Sequence, residues 1–183
     1  MKKTILNMTV FLMALCLFTA CSKDSDKNDD NGTTTTGEHT YNIEVEGGTV
    51  FNGSVPKETA GYYYPVAFVE YDEDLGSDLL AGILQDAAGD FQFGLGLALD
   101  SNNQPTIPDT GIGLTFGQRN SQNKYGPAGP IELTLSNYEE TILSMYGEEA
   151  RVASFTLQFS GLFKLGQSGD PVNVTGEIVV AKP

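Results

Sequence analysis

The stretch Phe91-Gln92-Phe93-Gly94-Leu95-Gly96-Leu97-Ala98-Leu99 alternates large apolar residues with small or polar ones along its whole length. A period of two places Phe91, Phe93, Leu95, Leu97 and Leu99 on one face of a strand, whereas a helix would scatter them around its axis. Working outward, the same alternation recurs in Ile43 and Val45, in Tyr64, Val66 and Phe68 toward Tyr71, and in Ile112, Leu114 and Phe116. It returns in Ile131, Leu133 and Leu135, in Phe155, Leu157 and Phe159, and in Val172 and Val174 leading to Ile178-Val179-Val180. Gly, Asn, Asp and Pro clusters bound these runs, as with Gly47-Gly48 and the stretch from Asp86 to Asp90. Seven or more such segments with short connections predict an all-β chain, an antiparallel β-sandwich or, alternatively, a calycin-like β-barrel.

One or two short helices are also expected. Leu79, Leu80, Ile83, Leu84 and Ala87 have helical spacing behind Ser77 or Asp78, but Gly82 costs about 1 kcal/mol inside a helix. Asp86 to Asp90 also looks like a turn into the strand from Phe91, so the reading of 77–88 favours a strand pair. Ser136-Asn137-Tyr138-Glu139 matches a capping box, with Ile142, Leu143, Met145 and Tyr146 behind it and Gly147 as a stop, which predicts a short helix. Gln118 to Gly129, rich in Asn, Gly and Pro, predicts an exposed loop.

The start of the chain has the layout of a secretory signal peptide. Lys2 and Lys3 precede an apolar run from Ile5 to Phe18, followed by Thr19, Ala20 and Cys21. That run is too short to span a bilayer. Leu17-Phe18-Thr19-Ala20-Cys21 resembles the lipobox of bacterial lipoproteins, which implies that Cys21 becomes the acylated first residue, carrying palmitate-type chains. Each buried acyl methylene contributes about 0.8 kcal/mol, so more than one chain anchors stably. Cys16, the other cysteine, would leave with the leader, and the folded part would then have no thiol for disulfides, catalysis or metal binding. From Ser22 to Gly37 there is no aliphatic or aromatic residue, as expected of a flexible spacer. The predicted organisation is residues 1–20 as signal peptide, 21–38 as lipidated cysteine and acidic, Thr-rich spacer, and 39–183 as a single β domain. Of 183 residues, removing 20 leaves 163, enough for one well-buried domain.

Lys23, Asp24 and Asp26 resemble the export signal that sends lipoproteins of Bacteroidetes-type bacteria to the outer face of the outer membrane. The resemblance implies a surface-exposed, lipid-anchored protein; the alternative is one facing the periplasm. Net charge is −14, and losing Lys2 and Lys3 with a leader that holds no acid makes it −16. So acidic a surface repels nucleic acid and anionic head groups, so no nucleic-acid partner is expected.

Chemistry-bearing residues are few. His39, the single histidine, stands at the edge of the spacer, where a triad histidine would not be held, and solvent exposure is expected. Structural zinc lacks ligands, and no cofactor is expected. Asp72, Asp74 and Asp78 are a calcium candidate, but Gly76 and Ile83 fall at the fifth and twelfth places, where an EF-hand loop does not want them. The default reading is a solvated acidic turn. A glycan hydrolase needs two carboxyls facing each other across a sugar, for which Glu139 with Glu140, Glu148 with Glu149, or Asp72 with Asp74 are the candidates. Tyr62 and Tyr64 would share one face of a strand and offer stacking in a chain without Trp.

Ile131 to Tyr138, Ala153 to Gly161 and Val172 to Ile178 are similar in layout to small lipoprotein domains of unknown function from Bacteroidetes-type bacteria. Those domains look like β-sandwiches ending in two long strands joined by a turn, and the resemblance carries no catalytic residue across. The leading expectation is a non-catalytic binding or assembly module, held on the membrane by its lipid and facing a protein or glycan partner. The alternatives are the glycan hydrolase and a calycin-like barrel carrying a small apolar ligand, the latter requiring an internal cavity near 300 Å³.

Overall fold

The computed structural model describes residues 37–59, 61–107, 113–145 and 147–183. Cys21, the signal peptide, the spacer up to Thr36, Ile112 and Tyr146 lie outside the described residues. Strands account for 72% of what is described, with no helix. In chain order they are β1 (Glu38–Val45), β2 (Thr49–Pro56), β3 (Glu58–Thr59), β4 (Tyr62–Tyr63), β5 (Ala67–Asp72) and β6 (Ser77–Asp86). Then follow β7 (Phe91–Leu99), β8 (Pro105–Thr106), β9 (Gly113–Gln118), β10 (Tyr125–Met145), β11 (Glu148–Leu165) and β12 (Val172–Val180).

Ten strands form one antiparallel sheet in the order β10-β9-β7-β6-β5-β11-β12-β1-β2, with β8 beside β7, while β3 and β4 make a separate ribbon. β10 also pairs with β11, so the sheet returns on itself through this long hairpin. The ring is thin at two seams: β10 meets β9 at Tyr125 and Phe116, and β11 meets β5 at Val152 and Phe68. Two layers result, which is sandwich-like in packing and barrel-like in closure. Both layers share β10 and β11, whose lengths of 21 and 18 residues let one end serve each layer.

Alternation in β7 is realised as read, with Phe91, Phe93, Leu95, Leu97 and Leu99 at most 4% exposed. Against them pack Ile43 of β1, Leu80 and Leu84 of β6, Leu114 and Phe116 of β9, Phe155, Leu157 and Phe159 of β11, and Ile178 of β12. Each large side chain so buried contributes roughly 1.5–3 kcal/mol. At one end aromatic rings close the interior: Tyr41 stacks on Phe91 at 4.0 Å and Phe116 on Tyr125 at 5.1 Å, with Phe51 edge-on to Phe116. The space where a calycin-like carrier would hold its ligand is thus occupied by Phe and Leu side chains.

The helix expected after Ser136 is instead the second half of β10. Between Ser136 and Glu139 the strand carries one residue more than β11 does between Thr156 and Ser154, and Asn137 takes φ 53° there. A bulge and a capping box draw on the same local residue types; the ladder from Glu139–Ser154 to Met145–Glu148 is what selects the bulge. The loop expected over 118–129 likewise ends early, at Lys124. Tyr125, Gly126 and Pro127 already pair with Leu165, Lys164 and Phe163, and a second bulge between Pro127 and Ile131 absorbs the prolines. Over 77–88 the strand pair is found and not the helix: β6 ends at Asp86, a turn over 87–90 leads into β7 as its antiparallel partner, and β5 lies on the other side of β6.

Candidate binding face

The half-sheet β10-β11-β12-β1-β2 turns one face to the core and the other to solvent. Registers align its outward side chains in three rows. Ser54, Thr40, Val179, Thr156 and Ser136 make the first; Asn52, Asn42, Glu177, Gln158 and Thr134 the second; Val50, Glu44, Thr175, Ser160 and Glu132 the third. Neighbours along a row sit on adjacent strands about 4.8 Å apart. Apart from Val179 and Val50, the rows hold hydroxyl, amide and carboxylate groups and no Lys or Arg, so the face is both hydrogen-bonding and negative. Gln158 Nε2 donates to Glu177 Oε2 at 2.8 Å, and Ser160 Oγ donates to Glu132 Oε2 at 3.4 Å. Beside the rows, the backbone N–H and Nδ2 of Asn173 both donate to Glu46 Oε2, which holds that carboxyl below its ordinary range. A shallow depression of about 440 Å³ lies across the middle of the face, with Phe159 and Gly176 at its floor. Gly176 is required there, because a Cβ would stand 2.3 Å from Phe159 Cζ.

None of the acid pairs singled out for hydrolysis is brought together, nor is the calcium trio; the structure instead converges Asp78 and Glu140 on one arginine. Arg151 on β11 grips Asp78 of β6 with both Nη atoms, at 3.0 and 2.8 Å, and donates from Nε to Glu140 Oε2 at 2.8 Å. Tyr138 donates its hydroxyl to the other Glu140 oxygen at 2.7 Å. The Arg151 hydrogen bonds hold the Asp78 carboxyl below its usual range, whereas burial, followed by the Glu140 bond, raises the Tyr138 phenol. Glu139 points to the opposite face, where Lys182 binds it at 2.6 Å, since successive strand residues alternate. Asp72 Oδ1 accepts the backbone N–H groups of Asp74 and Leu75 and so closes its own turn. Among the described residues no three His, Cys, Asp or Glu side chains gather as a metal site. Glu148 and Glu149 occupy successive, exposed positions at the start of β11. Of the tyrosines, Tyr62 and Tyr64 are 79% and 38% exposed, while Tyr63 between them donates its hydroxyl to the Ala181 carbonyl at 3.1 Å.

His39 is buried on β1 rather than exposed on a tether. Its Nδ1 accepts the Ala181 N–H at 3.1 Å, so the proton is on Nε2, which lies 3.3 Å from the Tyr64 carbonyl oxygen. Tyr63 packs edge-on against the ring. Burial pushes the imidazole below its ordinary pKa, a direction that Lys57 reinforces and the Tyr64 bond opposes. At the aromatic end of the core, Asp86 accepts the Tyr41 hydroxyl at 2.7 Å on Oδ2 and the N–H groups of Ala88 and Gly89 on Oδ1. Neither pair was visible in the sequence, because the partners are 142 and 45 residues apart.

No family model matches the chain, and neither a curated protein nor a solved structure is similar enough to be paired with it.

Proposed function

We propose that the protein is a lipid-anchored, non-catalytic binding module of the cell envelope, outer-membrane bound through Cys21 and facing outward. Its contact surface is the three-row polar face of β10-β11-β12-β1-β2, and its partner is a protein or glycan. The observation that carries the reading is that face itself: fifteen side chains in register on a rigid sheet, around a depression of about 440 Å³. Hydrogen-bonding groups fixed by sheet register bind with little ordering cost. The acid pairs that hydrolysis would use support this reading from the other side, being split between faces or held by Arg151, Lys182 and backbone amides.

Protease shaving of intact cells, followed by immunoblot, tests the location. Loss of the domain is expected; survival would favour the periplasm-facing alternative. Glycan-array binding and crosslinking of wild type beside Gln158→Arg with Thr175→Arg test the face. The double variant fills the depression and is expected to lose the captured partner while keeping its melting temperature. Unchanged capture by the variant would remove the face from the proposal.

A further inference from the structure

The sheet has two ends, and they are built differently. At one end β10 offers its free side beyond Tyr125, and that side is obstructed: Pro127 and Pro130 lack N–H groups, two bulges break the register, and Asn137 is left-handed. Such devices are how proteins keep a sheet edge from pairing. At the other end lies β2, Thr49-Val50-Phe51-Asn52-Gly53-Ser54-Val55-Pro56. It pairs with β1 without a register shift over all eight residues; the end of β6 comes near it, but among the described residues no strand is hydrogen-bonded to its outer side. It has no charged residue, no bulge and no proline before its last position. In a chain of net charge −14, an uncharged and regular edge is the exception.

We propose that the free edge of β2 takes up an extended, basic peptide segment as the next strand of the sheet. This rests on the binding-module reading and extends the same face by one strand. Backbone N–H and C=O groups on the outer side of β2 supply the ladder, the mode of recognition known as β-strand addition. Charge selects the occupant. Outward side chains of an added strand would lie beside Val50, Asn52 and Ser54, and the next residue along the Val50 row is Glu44, with Glu46 at the adjoining turn. Glu177 follows Asn42 along the Asn52 row. Lysine or arginine at alternate positions would reach along the rows toward these carboxylates, whereas an acidic segment would bring negative charge against negative charge, and a second copy, although its β2 is uncharged, would bring its own Glu44, Glu46 and Glu177 toward them.

The test uses a synthetic octapeptide alternating lysine with threonine, its glutamate–threonine counterpart, and amide hydrogen exchange on the purified domain. Addition of the basic peptide is expected to slow exchange of outward-facing β2 amides by about tenfold or more, with binding that weakens as salt rises. The acidic peptide is expected not to bind. Asn52→Lys with Ser54→Lys places two charges at exposed positions of the edge and is expected to weaken the basic peptide at least about tenfold, with melting unchanged. Absence of binding, or binding without protection of β2, overturns the edge assignment. Neither touches the binding-module reading, which stands or falls on the Gln158→Arg, Thr175→Arg capture experiment. Protection of β2 that grows with protein concentration alone would identify a second copy as the occupant and overturn the proposal.

Discussion

Replacing Gly82 by alanine would set a Cβ 2.2 Å from the Val66 carbonyl oxygen and 2.9 Å from Ala67 Cα. Both obstacles are backbone, and neither can rotate aside as a side chain would. Restoring ordinary contact near 3.5 Å means parting β5 from β6 by about 1 Å. Overpacking of this kind costs roughly 1–3 kcal/mol. The same displacement strains the Ile83 N–H bond to the Val66 carbonyl, 3.0 Å long, worth about 1 kcal/mol more. Leu80 and Leu84, fixed in the core on either side, would have to shift with the strand. The expected loss is about 3 kcal/mol, or about 10 °C in Tm at 2–4 °C per kcal/mol for a domain near this size. Differential scanning calorimetry and urea unfolding measure it, with Gly126→Ala as the control. A Cβ at Gly126 meets nothing within 4 Å, so that change should stay within about 0.5 kcal/mol. The experiment also separates strand from helix, because alanine in a helix over 77–88 would stabilise by about 1 kcal/mol. A Gly82→Ala melting temperature within about 2 °C of wild type, or above it, would refute the close approach of β5 and β6.

Three further outcomes follow from the polar groups inside and at the rim of the core. His39 has a folded-state pKa below its unfolded value near 6.5, so the unfolded chain binds the proton first as pH falls. Stability from the neutral ring is full above about pH 6.5 and declines below it; urea midpoints at pH 7.5 and 5.0 should differ more for wild type than for His39→Asn, and equal differences would count against the buried clamp. Tyr41→Phe removes the donor to Asp86 Oδ2 in a buried setting and should cost about 1–3 kcal/mol in chemical denaturation; a neutral result would mean that water reaches that oxygen. Arg151→Met leaves Asp78 and Glu140 without their shared cation, but each is about 30% exposed, so solvent screening limits the expected loss to about 1 kcal/mol. A loss several times larger would show the cluster to be more deeply desolvated than its exposure implies.

Fold class was legible because the property that defines it is local. Period-two alternation from Phe91 to Leu99, and its echoes in Ile43, Leu114, Leu135, Phe155 and Ile178, is written residue by residue, and apolar alternation has one economical use: a strand with one face in a core. The acidic turn at Asp72 was likewise readable as structure rather than chemistry. Where the reading failed, the missing information was a partner distant in sequence. Ser136 to Gly147 contains a plausible helix start and stop, yet its backbone groups are claimed by β11. Gln118 to Gly129 looks like a loop until Leu165, Lys164 and Phe163 arrive to pair with its end.

Residue types and their order thus established a β chain, its acidity, and the scarcity of catalytic groups. They left open which carboxylates stand side by side, whether His39 meets water, and which edge of the sheet is open. Those depend on cross-strand register and on closure through β10 and β11. Adjacent residues such as Glu139 and Glu140 go to opposite faces, while Asp78 and Arg151, 73 residues apart, come within 2.8 Å. Side-chain direction along a strand is fixed by the backbone pleat; neighbours across strands are fixed by hydrogen-bond pairing over the whole chain, and no window of sequence contains that pairing.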